Sequence, residues 1–278
     1  MFTDFQQTET LKNLFVLYFS ILKNPIRTPL LPAALEGISH FAHFINVDFF
    51  RDLLAVLRRI VLDQYDENDE EEEEINKLDI VGDSENVRLR LLAIVTAFDL
   101  LSGQGEALNI DLGDLITQLF GLLRPLSLDT GIEDPPLLTT SAKAPMKSRH
   151  KPAVQTETTA SLLFRCLNHI FFSRHFVSPP YRAAAFAKRL LEASILFPPV
   201  SASQAVTFVR QLVGRYPKLE GMLDSEERMA DGVYKAEMDD PQLVNPFATT
   251  FYEVEILTKH WDLVVKGEGK KLGVGNTV

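Results

Sequence analysis

Cysteine is nearly absent from this chain: Cys166 is the only one in 278 residues. A single thiol excludes an internal disulfide and a four-thiolate zinc site, and it points to a reducing compartment, cytosolic or nuclear. Tryptophan is equally scarce, with 1 residue against 19 Phe and 6 Tyr. Phenylalanine has no polar handle, so an aromatic set dominated by it reads as core packing rather than as a platform for sugars or bases. A basic excess is missing too, since 38 acidic residues face 28 basic ones for a formal net charge of -10. Such a chain is not steered as a whole toward nucleic acid or an anionic membrane. No uninterrupted apolar run approaches the length of a membrane span, and the start, MFTDFQQTET, lacks the charged-then-apolar pattern of a secretory signal. These absences lead to the expectation of a soluble intracellular protein.

What is present is helical periodicity. With 46% hydrophobic and 24% charged residues, the chain can bury one large or two modest cores. In LKNLFVLYFSILK, Leu11, Leu14, Phe15, Tyr18, Phe19 and Leu22 keep the i, i+3, i+4, i+7 spacing of one helix face. A second helix is expected from an N-cap at Thr28, with Pro29 first inside it, to about Phe44. Asn46 is the expected cap of a third, VDFFRDLLAVLRRIVL, with Asp48 early and Arg58 and Arg59 late, as the helix dipole favours. Further helices are expected from Glu85 (capped by Ser84) to Leu101, from Asp111 onward, and at about 158–173, 179–196, 203–215 and 246–261. No strand pair or hairpin dipeptide stands between alternating runs. The expected fold is all-α, an irregular HEAT-like helical repeat (an α-solenoid) of antiparallel helix pairs, with a compact irregular bundle as runner-up. The expected layout is helical repeats over 1–124 with an acidic loop at 64–84, a flexible linker at 125–157, further repeats over 158–263, and a disordered tail at 264–278.

One stretch raises an enzymatic possibility. LLSGQGEALNIDLGDL has the glycines of a phosphate-binding loop at Gly103, Gly105 and Gly113. A dinucleotide fingerprint needs a third glycine where Leu108 stands, and a P-loop needs Lys followed by Ser or Thr. The segment before it is helical in spacing (Val87, Leu91, Ile94, Val95, Phe98, Leu101), and Glu106 would repel a phosphate. The loop therefore reads as a helix–helix connection, with Gly103 ending one helix and Asp111 starting the next. His40 and His43 with Asp48 and Asp52 could be taken as metal ligands of a hydrolase. The commoner reading puts both histidines beside core phenylalanines, and no complete ligand set is visible. Cys166 and His169 share the apolar helix LLFRCLNHIFF, where a packing cysteine is the expectation. Without a nucleophile elbow or any other catalytic constellation, the chain reads as no enzyme, with no cofactor and no metal.

The charged and aromatic residues supply the remaining candidates. Asp66 to Glu74 is a solvated acidic run, or more sharply a dock for a basic protein. For RNA contact the candidates are Lys147, Arg149 and Lys151 in the linker, and Arg182, Lys188 and Arg189 in YRAAAFAKRLLEASI. In that helix the alanines permit close packing and the cations are expected to project elsewhere, to salt bridges or to phosphates. For a partner interface the candidates are Phe15 and Phe19, near Phe2 and Phe5, and Phe247, Phe251 and Trp261 on the last helix; aromatic anchors of this kind dominate helix-in-groove contacts, although core packing is the commoner explanation.

Four long blocks carry a resemblance: LLPAALEGISHFAHFINVDFFRDLL (30–54), RLLAIVTAFDLLSGQGEALNIDL (90–112), RAAAFAKRLLEASILFPP (182–199) and DDPQLVNPFATTFYEVEILTKHW (239–261). In collinear order they resemble the carboxy-terminal region of the nucleolar complex-associated protein 3 family, built around a CCAAT-binding-factor-type helical domain. The resemblance implies a non-catalytic helical-repeat scaffold of the nucleolus and nucleoplasm, paired with nucleolar complex-associated protein 2 on precursors of the large (60S) ribosomal subunit. It also implies a second reading, a chromatin-associated adaptor meeting replication-licensing proteins. The chain is expected to be a carboxy-terminal fragment with Met1 added, and KGEGKKLGVGNTV does not resemble the family's usual ending. Nothing in the sequence points to a membrane as a partner.

Overall fold

A computed structural model describes residues 2–24, 30–41, 47–62, 80–102, 111–135, 157–173, 178–223 and 231–274. Every regular element among them is helical, so the chain is all-α there. The chain forms two compact units.

The first unit comprises 1–125, 166–178 and 237–241. It opens with α1 (Phe2–Lys23), α2 (Leu31–Phe41) and α3 (Val47–Val61), followed by α4 (Ile80–Ser102) and α5 (Gly113–Ser127), of which the first unit takes the part up to Pro125. α2 and α3 both pack on α4, and α1 packs on α2. Tyr18 lies over Gly37, where an added Cβ would come within 2.5 Å of the ring and push it aside, so α1 and α2 meet closely at this glycine. In the first half of α4 the described side chains are mostly polar and partly exposed, but residues 91–98 are all buried, on every side of the helix. Its one hydroxyl in that stretch, Thr96, donates to the Leu92 carbonyl at 2.7 Å. At the far end of α3, Arg58 reaches Asp114 at 2.9 Å and also donates to the Asp111 carbonyl. Asp111 in turn accepts from the Gly113 amide at 2.8 Å; α5 begins at Gly113, two residues after the expected start, and Asp111 braces the turn that leads into it.

The second unit comprises 126–165, 179–236 and 242–278. Its core is the pair α7 (Pro180–Ser194) and α8 (Pro199–Arg215), with α6 (Thr159–Phe172) contributing its first half. Proline opens both α7 and α8, where its missing N–H costs nothing and its fixed φ suits the first turn. The four residues between them are too few for anything but a reversal, so the two helices form a hairpin. On α7, Ala183, Ala184, Ala185 and Ala187 are fully buried. Glu133 accepts from the Ser201 amide at 2.6 Å, a carboxylate set against the first turn of α8.

Several boundaries differ from the sequence expectation. α4 starts at Ile80, so Ser84 lies inside the helix and is not its cap. Thr28, Pro29 and Asn46 fall outside the described residues. The expected linker begins too early: α5 continues through Pro125 to Ser127. Beyond it a turn braced by Asp129 and Gly131 buries Ile132 completely, and the Ile132 carbonyl accepts from Ala160 at 2.9 Å. The expected helix 246–261 is broken into a 3₁₀ turn at Pro246–Ala248 and a short α9 (Glu253–Leu257). The expected tail contains α10 (Leu263–Gly273), capped by Asp262, which accepts from the amides of Val264 and Val265 at 2.9 and 3.1 Å. α10 packs on α8 and α9, and at Gly269 an added Cβ would stand 3.0 Å from the Leu257 carbonyl carbon.

Candidate functional site

The glycine-rich segment 103–110 lies outside the described residues, and its flanks are the end of α4 at Ser102 and the start of α5 at Gly113. A phosphate loop needs a strand before it; α4 is a helix. The histidine cluster is equally unproductive. His40 is exposed in the last turn of α2 and Asp52 is exposed on α3, while His43 and the side chain of Asp48 lie outside the described residues. Among the described residues no three of His, Cys, Asp and Glu come together as metal ligands.

Cys166 is fully buried, with Sγ 3.8 Å from the Leu91 carbonyl. Its expected neighbour His169 turns elsewhere. His169 Nε2 lies 3.0 Å from Asp99 Oδ1, its Nδ1 is 3.4 Å from Ser102 Oγ, and its ring stacks on Phe98 with centroids 6.0 Å apart. Ser39 donates to the other oxygen of Asp99 at 2.5 Å. Serine, histidine and aspartate thus meet, as in a hydrolase triad, yet the chemistry does not follow. Ser102 sends its proton to the Phe98 carbonyl at 2.9 Å, one helical turn back, so the hydroxyl is held as a helix side chain and not raised as a nucleophile. The cluster joins α2, α4 and α6 inside the first unit. Its sequence signal was Asp99 itself, an acid set in an otherwise apolar helix.

The basic residues on α7 are the sharpest correction. They do not project. Lys188 is 0% exposed and Arg189 4%, and Arg182 is half-buried. Lys188 Nζ reaches Glu253 Oε1 at 2.5 Å and the Thr250 carbonyl at 3.0 Å, with Glu192 at 3.8 Å. The Tyr252 ring covers it, 3.5 Å from the ammonium to the centroid, an arrangement that stabilises a cation without hydrating it. Arg189 donates to the Ala236 carbonyl at 2.7 Å, and Tyr234 donates to Glu192 at 3.1 Å. Burial pushes the Lys188 ammonium below its ordinary pKa and the Glu253 carboxyl above its own, and each partner pulls the other back. Burial beside Glu253 raises Tyr252 to about 12. A desolvated lysine is the raw material of imine chemistry, but this one is enclosed and paired, and a substrate carbonyl has no approach to it. It fastens α7 to the α9 segment. Lys147, Arg149 and Lys151 lie outside the described residues.

The aromatic candidates separate. Phe15, Phe19 and Phe247 are half-buried, with Lys23 5.7 Å over the Phe19 ring. Phe251 is core, 4% exposed, and its amide donates to Met222 at 2.7 Å. Trp261 is 77% exposed and is followed by Leu263 at 80% and Val264 at 62%. Phe251 and Trp261 therefore share no face.

Among the described residues the ion pairs brace helix against helix, in a chain that is all-α there. The sequence profile of the CBF/Mak21 family matches residues 90–266, well over half of the chain, and the chain belongs to that family. It is 32% identical over 272 residues to nucleolar complex-associated protein 3 of Schizosaccharomyces pombe, a match that covers 96% of this chain and 34% of that protein. It is 34% identical over 263 residues to the protein of the same name in Saccharomyces cerevisiae, covering 94% and 37%. With the human nucleolar complex protein 3 homolog it is 33% identical over 259 residues, covering 93% and 27%. The chain thus spans about a third of the length of the curated relatives it matches.

Proposed function

We propose that this chain is a non-catalytic helical scaffold in nucleolar ribosome biogenesis, acting in assembly and intranuclear maturation of the 60S subunit. The observation that carries the reading is the match of more than nine-tenths of the chain to proteins named for a nucleolar complex. The acidic charge of -10 supports a protein-facing role, with rRNA contacts local at most. The partner in this reading is nucleolar complex-associated protein 2, held by a helical face, and the working compartment is the nucleolus with the nucleoplasm.

The test is purification of the tagged chain from nuclear extract, with and without ribonuclease, followed by mass spectrometry. Large-subunit assembly factors that persist after ribonuclease are the expected result. Replication-licensing proteins in their place, or no nucleolar protein at all, overturn it.

A further inference from the structure

We infer that the outward face of α10, with Trp261 at its entrance, is a docking surface for an acidic amphipathic helix of a partner protein. This deepens the scaffold reading, on which it rests, by assigning a surface and a partner chemistry. α10 buries Val265, Gly269 and Leu272 on one side. On the other side Leu263, Gly267, Lys270 and Val274 follow at i, i+4, i+7 and i+11, a single row along the helix. Leu263, Val264 and Val274 are 80%, 62% and 71% exposed, and Trp261 at 77% stands just before the cap. Trp261, Leu263 and Val264 together present on the order of 400 Å² of contiguous apolar surface, in the range that marks interaction sites.

Two further observations say what covers it. The first is Gly267, where an added Cβ would meet nothing within 4 Å. At Gly269, by contrast, an added Cβ would press on the backbone of Leu257 and Thr258 at 3.0 and 3.1 Å. A glycine facing outward from a helix weakens that helix and is answered by no neighbour among the described residues, whereas it lets a second backbone approach closely. The second is charge. Lys266 and Lys270 have no carboxylate partner among the described residues, while Lys271 and Lys259 pair only with the local acids Glu268 and Glu255. An apolar row bordered by unpaired ammonium groups complements a helix with an aliphatic stripe flanked by Glu or Asp. RNA is also anionic, but the centre of this face is aliphatic, Leu263 and Val264, and offers no stacking surface beyond Trp261.

Trp261 is the only tryptophan, so its fluorescence reports on this face alone. The full chain is titrated with a synthetic helical peptide carrying a leucine stripe flanked by glutamates, with the same peptide carrying lysines for glutamates, and with an oligouridine. The glutamate peptide is expected to shift Trp261 emission to the blue, shield it from acrylamide, and bind more weakly as salt rises. Lys270→Glu is expected to weaken binding about tenfold without changing the unfolding midpoint. Gly267→Gln is expected to raise the midpoint, as a better helix former, and yet to weaken binding about tenfold or more. No response to the glutamate peptide at millimolar concentration, equal binding of both peptides, preference for the oligouridine, or unchanged binding by Gly267→Gln each overturns the inference. Co-purification with nucleolar proteins is scored separately: loss with the parent chain removes the scaffold reading, and equal recovery by parent and Gly267→Gln removes this surface only.

Discussion

Replacing Lys188 by methionine removes the cation from the centre of the second unit and keeps most of the volume. Three contacts go at once: Glu253 at 2.5 Å, the Thr250 carbonyl at 3.0 Å and the Tyr252 face at 3.5 Å. Glu253, itself 0% exposed, is left as an uncompensated buried carboxylate. Breaking a buried pair in this way costs about 3–5 kcal/mol, which in a domain of this size lowers the melting temperature by roughly 10 °C. The loss depends on pH in a definite sense. Glu253 is held above its ordinary pKa by burial even beside Lys188, and the variant removes what pulls it down. The folded variant then keeps a proton that the unfolded chain has released, so its stability falls as pH rises through the window above the ordinary carboxylate value. The deficit against the parent is therefore smaller near pH ~4.5 than near pH ~8. Lys188→Met with Glu253→Gln removes both charges and recovers more than half of the loss. Thermal and urea unfolding followed by far-ultraviolet circular dichroism measures all of this. A loss under about 1 kcal/mol, a deficit constant with pH, or a double variant costing the sum of the singles refutes the buried-pair account.

The two glycines of α10 respond to alanine with opposite signs. Gly267→Ala stabilises by about 0.5–1 kcal/mol, and Gly269→Ala destabilises by about 1–3 kcal/mol because its Cβ meets Leu257 backbone; paired melting curves decide it. Asp99→Asn leaves one of the two groups on that carboxylate, Ser39 or His169, poorly matched and costs about 1–3 kcal/mol in urea unfolding. Cys166 resists a thiol reagent in the native protein and reacts stoichiometrically in denaturant; rapid native labelling contradicts its burial.

The helices of the first unit were legible because their apolar residues recur at 3 and 4, and α3 begins and ends within a residue of its expected span. The site was much less so. Lys188 and Glu253 are separated by 65 positions, and no local pattern announces that a cation in AAAFAKRLL is drawn inward to a distant acid. Phe247, Phe251, Val254 and Trp261 have helical spacing yet do not lie on one helix, because a 3₁₀ turn at Pro246–Ala248 and the end of α9 at Leu257 reset the phase between them. GEGKK was expected in a disordered tail, whereas Gly269 lets α10 touch the end of α9. Asp262 before a run of apolar residues is the sign of α10 that the sequence carries.

The burial of residues 91–98 on all sides of α4 governs how the first unit comes apart. A segment with no face to water cannot fray, so its amides exchange with solvent only when neighbouring helices lift away together. α2, α3 and α4 are thereby bound into one cooperative event, and the interior of α4 should be the slowest-exchanging part of that unit. A substitution anywhere along those eight positions changes the fit to several helices at once, so tolerated changes there come in compensating sets rather than singly.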